Sequence, residues 1–300
     1  MALAHVSTGI ELEYETIGSP DGVPLLLVMG FTAQLTTWPD RFCEMLADAG
    51  HLVIRFDNRD CGLSTKFDGV TIDTAAALAA ARTGEQLPPV PYTLSEMAAD
   101  AVGLLDHLGI DSAHILGASM GGMIVQTIAI EHPTRVRSLT SVMSTTGEPE
   151  FGQAAPEAMA VLLAPPPVER DAYIARSLQT QIWHSKKYHD PERTQADAAR
   201  NYDRSFYPEG AQRQMAAIIA TGSRAEGLRA LRVPTLVIHG RDDTLILPSG
   251  GERTAELVDG AHLLLVGDMG HDLPEPLWPL IVGSVTTHTT IADGLAVAGR

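Results

Sequence analysis

The strongest constraint on how this chain can fold is a series of short apolar runs separated by segments with helical spacing. The runs are "PLLLVMG" (Pro24 to Gly30), "HLVIRFD" (His51 to Asp57), "AHILG" (Ala113 to Gly117), "SLTSVM" (Ser138 to Met143), "PTLVIHG" (Pro234 to Gly240) and "HLLLVG" (His262 to Gly267). Strands covered by helices on both faces read this way, because neither face needs polar residues. "IELEYETI" (Ile10 to Ile17) instead alternates with period two and suits an early antiparallel strand. In "TLSEMAADAVGLLDHLG", Thr93 and Glu96 form a capping box, Met97, Ala101, Leu104, Leu105 and Leu108 recur at helical spacing, and Gly109 can end the helix. Strands alternating with helices predict an α/β fold with a mostly parallel central sheet.

The alternation stops between Gly147 and Leu231, where there are helical patterns, a Pro165 to Pro167 triplet and no strand-like run. The expected organisation is a core of residues 1–146 and 232–300, with a helical cap of residues 147–231 inserted in it. A shorter detour, Lys66 to Val90, is expected near the same edge of the sheet. At 300 residues and 45% hydrophobic composition the chain can bury a core of that size.

Composition also removes several function classes. A formal net charge of -16 argues against nucleic acid and anionic membrane surfaces, which require clustered Lys and Arg. No long apolar run is present, and "MALAHVSTGIELEYE" lacks the pattern of a signal peptide, so the expectation is a soluble cytoplasmic protein. Cys43 and Cys61 are too few for a disulfide framework and read as ordinary thiols. No metal and no cofactor is expected: "HSKKYH" (His184 to His189) carries two cations that would repel a divalent ion, and it reads as a solvated face.

"GASMGG" (Gly117 to Gly122) joins the strand-like "AHIL" to the helical "MIVQTIAIEHP". Small residues on both sides of Ser119 allow a sharp strand-to-helix turn that exposes its hydroxyl, and the helix that follows directs free N–H groups toward that point. A serine hydroxyl is a weak nucleophile at neutral pH and needs a histidine base oriented by an acid. "RDDTLILP" after one strand offers Asp242 and Asp243, and "DMGHDLPEP" after the next offers His271. The order serine, acid, histidine is that of nucleophile-elbow hydrolases. His114 and His239 lie in buried strands and read as packing or polar-network residues.

Taken in order, "LLLVMGF" with "TTWP", "VIRFDNRDCGLST", "GASMGGMIVQTIAIEHP", "PTLVIHGRDD" and "MGHDLP" resemble the α/β-hydrolase fold enzymes over nearly the whole chain. Within that family "VMGFTAQLTTWPDRF" and "IRFDNRDCGLST" are similar to the aclacinomycin methylesterase-like esterases. The resemblance implies Ser119 as nucleophile, His271 as base and then acid, and Asp243 as orienting acid, three residues after Gly240. Asp242 and Glu148 are the alternatives for the acid. It also implies an oxyanion hole of two backbone N–H groups, from Met120 and Phe31, each such donor being worth roughly 3 kcal/mol. Met29 stands where many members carry histidine. Asp57 and Arg59 read as a structural brace, and Asp60 takes a position often held by glycine.

The cap should roof the site, with Trp183, Met215, Ile218 and Ile219 as candidate substrate contacts. The expected activity is hydrolysis of a small to medium apolar carboxylic ester through an acyl-enzyme. Carbon-carbon or lactone hydrolysis by the same triad and a slowly turning-over ligand receptor are the rivals. Epoxide hydrolases and dehalogenases use aspartate where Ser119 stands.

Overall fold

A computed structural model describes residues 1–298, so the last two residues of the 232–300 core segment lie outside the described residues. Eight strands form one sheet: β1 (Ala2–His5), β2 (Glu11–Ile17), β3 (Val23–Val28), β4 (His51–Phe56), β5 (Ala113–Ala118), β6 (Val136–Val142), β7 (Thr235–Gly240) and β8 (His262–Val266). Their spatial order is β1-β2-β4-β3-β5-β6-β7-β8. β2 pairs antiparallel with β1 and β4, and every pairing from β4 to β8 is parallel. The α/β reading therefore holds, including the antiparallel early strand. β1 was not foreseen: four residues at the edge, three of them exposed, leave almost no hydrophobic pattern.

The helices are α1 (Asp40–Asp48), α2 (Thr74–Thr83), α3 (Leu94–His107), α4 (Met120–Glu131), α5 (Pro156–Leu163), α6 (Arg170–Ser177), α7 (Pro191–Arg204), α8 (Gly210–Thr221), α9 (Ala225–Ala230), α10 (Ser249–Leu257) and α11 (Trp278–Ala298). α3 begins as its sequence requires: Thr93 N–H donates to Glu96 Oε2 at 2.7 Å, and Ser95 N–H to Thr93 Oγ1 at 3.2 Å. Burial is split between the two faces of the sheet. Leu94, Leu104, Ile124 and Ile128 from α3 and α4 pack with Leu26, Ile54 and Ile115, while Phe42 from α1 and Trp278 and Ile281 from α11 pack with Leu27, Val53 and Leu116. Successive residues of β3, β4 and β5 thus enter opposite cores, which is why these runs show no polar alternation.

Between β6 and β7 the described residues contain helices α5 to α9 and no strand. Two buried ion pairs tie this helical segment to the loop after β4. Arg204 Nη1 lies 2.7 Å from Asp57 Oδ2, and Arg213 Nε lies 2.8 Å from Asp60 Oδ2. Asp57 also accepts from Leu35 N–H at 2.7 Å and Leu63 N–H at 2.8 Å, so the loop is braced from three directions. Asp60 has φ of 61°, in the left-handed region that favours glycine. Its carboxylate takes Tyr92 Oη at 2.6 Å and Phe67 N–H at 2.9 Å besides Arg213. α2, within the Lys66 to Val90 detour, packs against α8. No helix among the described residues is long and apolar enough to cross a membrane.

Candidate active site

The loops after β3, β5, β7 and β8 all leave the same edge of the sheet, the carboxyl ends of parallel strands, where open α/β sheets bind ligands. Ser119 occupies the single position between β5 and α4, with φ of 57° and ψ of -121°. That backbone is costly for a residue with a side chain, by about 1–3 kcal/mol, and persists because its surroundings fix it. Ser119 N–H donates to Val142 O at 3.0 Å, and Ser144 Oγ donates to Ser119 O at 2.9 Å. The glycines admit the turn sterically: a Cβ on Gly117 would strike the Gly121 carbonyl, and one on Gly121 would strike the Val28 carbonyl. The serine hydroxyl is left on the wall of a cavity of about 1260 Å³.

His271 lines that cavity too. Its Nδ1–H donates to Asp243 Oδ2 at 2.7 Å. The other oxygen of Asp243 accepts from Leu245 N–H and Ile246 N–H, both at 2.9 Å, so the carboxylate cannot turn away from the imidazole. His239, buried at the end of β7, donates from Nε2 to Ile246 O at 2.8 Å and approaches Asp243 Oδ2 at 3.4 Å. Burial alone would raise the Asp243 pKa; the positive charge of His271 and the hydrogen bonds from His239 and His271 outweigh it and hold the carboxyl at about 2. Such an acid stays ionised beside His271 throughout the neutral range and fixes the ring so that Nε2 is the free nitrogen.

The alternatives for the acid lie elsewhere. Asp242 is exposed and commits its N–H to Met269 O at 2.9 Å. Glu148 is engaged by Arg253 at 2.9 and 3.0 Å and by Thr146 Oγ1 at 3.0 Å.

Phe31 and Met120 flank Ser119 on the cavity wall. Met120 is the first residue of α4, so its N–H has no partner within the helix. The loop carrying Phe31 is held by two side chains: Asn58 Nδ2 donates to Met29 O at 2.9 Å, and Gln214 Oε1 accepts from Thr32 N–H at 2.8 Å. Gln214 in turn donates to Arg59 O at 2.9 Å. Neither Asn58 nor Gln214 was identified from sequence, because each acts through a backbone group distant in the chain.

Of the candidate contacts in the helical segment, Trp183, Met215 and Ile218 line the cavity. Ile219 does not: on α8 it stands about 100° around the helix from Ile218, on the far side of Met215. The reading of His184 to His189 as a solvated face also needs correction. Lys186 and Lys187 are exposed, but Ser185 is fully buried, and His184, Tyr188 and His189 line the cavity. Ser185 N–H donates to Asp272 Oδ1 at 3.0 Å and Ser185 Oγ to Asp268 O at 2.6 Å, which folds this stretch inward onto the His271 loop.

Residues 23–275 match the model of the alpha/beta hydrolase fold family. The chain is 28% identical to rhodomycin D methylesterase DauP of Streptomyces sp. (strain C5), covering 94% of this chain and 96% of that protein. Among solved structures it is similar to an esterase from Exiguobacterium antarcticum, at a TM-score of 0.73 and 19% identity over 96% of this chain and 98% of that one. It is also similar to the enol-lactonase from Burkholderia xenovorans LB400, at a TM-score of 0.71 and 23% identity over 96% of this chain and 100% of that one. The chain belongs to the alpha/beta hydrolase fold family.

Proposed function

We propose that the protein hydrolyses a carboxylic ester through an acyl-enzyme formed on Ser119. In this reading His271 Nε2 takes the proton of the Ser119 hydroxyl as the oxygen attacks the ester carbonyl, and Asp243 stabilises the resulting imidazolium. The N–H groups of Met120 and Phe31 receive the negative oxygen of the tetrahedral intermediate. Its collapse returns the proton from His271 to the departing alcohol, and a water activated by the same imidazole then releases the acid. The observation that carries this reading is the 2.7 Å bond from His271 Nδ1 to Asp243 Oδ2, in a loop that shares its cavity with a serine at a strained strand-to-helix turn.

The helices of residues 147–231 act as a cap over that cavity. We assign the enzyme the methyl ester of a bulky carboxylic acid rather than a small to medium one, because ligand sites of about 300–1,000 Å³ already enclose drug-sized molecules and this cavity is larger. Tyr202 and Phe206, stacked with centroids 4.6 Å apart, and Tyr173 give one wall the flat apolar surface that a large acyl group would occupy. The similarity to a protein named a methylesterase supports methanol as the leaving group.

The test is a panel of methyl esters of acids of increasing size beside lactones of matched size, assayed by acid release with the parent and with Ser119→Ala. Methyl ester turnover that rises with acid bulk and vanishes in Ser119→Ala is expected. Equal rates in the two proteins would remove the mechanism, and lactone turnover exceeding every ester would replace the substrate class.

A further inference from the structure

The cavity wall carries two imidazoles that the proposed reaction does not use. His184 and His189 both line the cavity, and their ring centroids are 6.2 Å apart. His184 follows Trp183, whose carbonyl oxygen accepts the backbone N–H of His271, so its ring is carried by the stretch that lies on the His271 loop. His189 Nε2 is buried with no hydrogen-bond partner among the described residues. A buried polar atom without a partner costs about 1–3 kcal/mol.

The tautomer of His184 follows from its neighbour. Thr180 Oγ1 donates its only proton to Ser177 O at 2.8 Å. At its 3.5 Å contact with His184 Nδ1, Thr180 is therefore the acceptor, and the proton resides on Nδ1. Nε2 of His184 then carries a lone pair. Burial first, and then the charges that His271 and His189 can carry, push the His184 pKa down to about 4, so the ring is neutral at physiological pH and Nε2 stays an acceptor. An acceptor nitrogen on a cavity wall selects a donor, and the donor most consistent with an apolar carboxylic ester is a hydroxyl group.

We propose that His184 Nε2, with His189 beside it, binds a hydroxyl group on the acyl part of the substrate and so makes the enzyme select hydroxylated over unsubstituted esters. The inference deepens the esterase reading and rests on it only for placing the ester carbonyl at Ser119. The two histidines are positioning residues for substrate and take no part in bond cleavage.

The experiment compares methyl naphthoate with its monohydroxylated positional isomers as probes. In the parent, at least one isomer should exceed methyl naphthoate in kcat/KM by about three- to tenfold, the range one neutral hydrogen bond supplies. In His184→Phe that ratio should fall to about one, and in His184→Asn, which restores an acceptor, it should recover in part. A ratio near one for every isomer in the parent, or a ratio that survives in His184→Phe, would overturn the inference. If His184→Phe melts before assay temperature, His184→Gln and His184→Asn against His189→Leu give the same comparison of ratios. Calorimetric binding of the same ester pairs to Ser119→Ala, with and without the His184 substitution, separates the two readings. Absence of hydrolysis in the parent removes the esterase mechanism, while the binding ratio alone decides the role of His184.

Discussion

The backbone N–H of His271 donates to the carbonyl oxygen of Trp183 at 2.6 Å, so the loop of the imidazole proposed as base is tied to the helical segment between β6 and β7. Asp272, the next residue, accepts from Ser185 N–H at 3.0 Å and from Gly270 N–H at 3.2 Å, closing a second link across the same seam. Lys187 adds an exposed pair to Asp268 at 2.7 Å. The position of the His271 loop is therefore set together with that of the 183–187 stretch.

Gly270→Ala tests that coupling. A Cβ at this position would press on the Trp183 carbonyl, on His184 C at 2.6 Å and on Ser185 N at 2.8 Å, all backbone atoms that cannot rotate away. The cap stretch must move outward and take the His271 loop with it. Misplacement by about 1 Å can cost on the order of 100-fold in rate, so kcat on a small nitrophenyl ester should fall by about 10- to 100-fold. An unchanged kcat in a folded variant would show that the seam does not position the base.

Asp243→Asn and Asp242→Asn separate the two neighbouring carboxylates. Only Asp243 reaches His271, so its loss should lower kcat by about 10⁴-fold, whereas Asp242→Asn should change it less than about threefold. Steady-state kinetics on one ester decides it, and a reversed pattern would reassign the acid.

The low pKa of Asp243 has a consequence for acid stability. Its folded value, about 2, lies below the ordinary 3.8, so the stabilisation is fully present above pH 3.8 and is lost as pH falls toward 2. A shift of that size corresponds to about 2 kcal/mol. The stability gap between the parent and Asp243→Asn, measured by urea unfolding, should shrink over this window. A gap that stayed constant from pH 5 to pH 2 would contradict the assignment.

Arg213→Ala should loosen α8 from the loop after β4. It leaves Asp60, whose side chain is 0% exposed, without its cation, and breaking one partner of a buried pair costs about 3–5 kcal/mol. Thermal unfolding should report that loss, together with a higher KM from the wall formed by α8. Arg170→Ala, which breaks the exposed, solvent-screened pair with Asp203, should leave the melting temperature nearly unchanged in the same measurement and serves as the control.

Much of this protein is legible in one dimension because its determinants are local. A strand buried on both faces must be apolar throughout, and a turn that forces Ser119 to φ of 57° must have small neighbours, so the sheet and the elbow are written into consecutive residues. The capping box of α3 is local in the same sense. What tertiary structure alone decided is the set of groups that meet across distant parts of the chain. Asp243 and not Asp242 faces His271 because Leu245 and Ile246 N–H groups hold one carboxylate oxygen and leave the other for the imidazole. Ile219 turns off the cavity by one step of the helix while Ile218 remains on it, a distinction that two adjacent isoleucines do not carry themselves. "HSKKYH" reads as solvated by composition, yet Ser185 buries its backbone against Asp272 and brings His184 and His189 onto the cavity wall. Sequence pattern records which residues can be buried, whereas which polar groups then find each other depends on packing between segments that the chain itself separates.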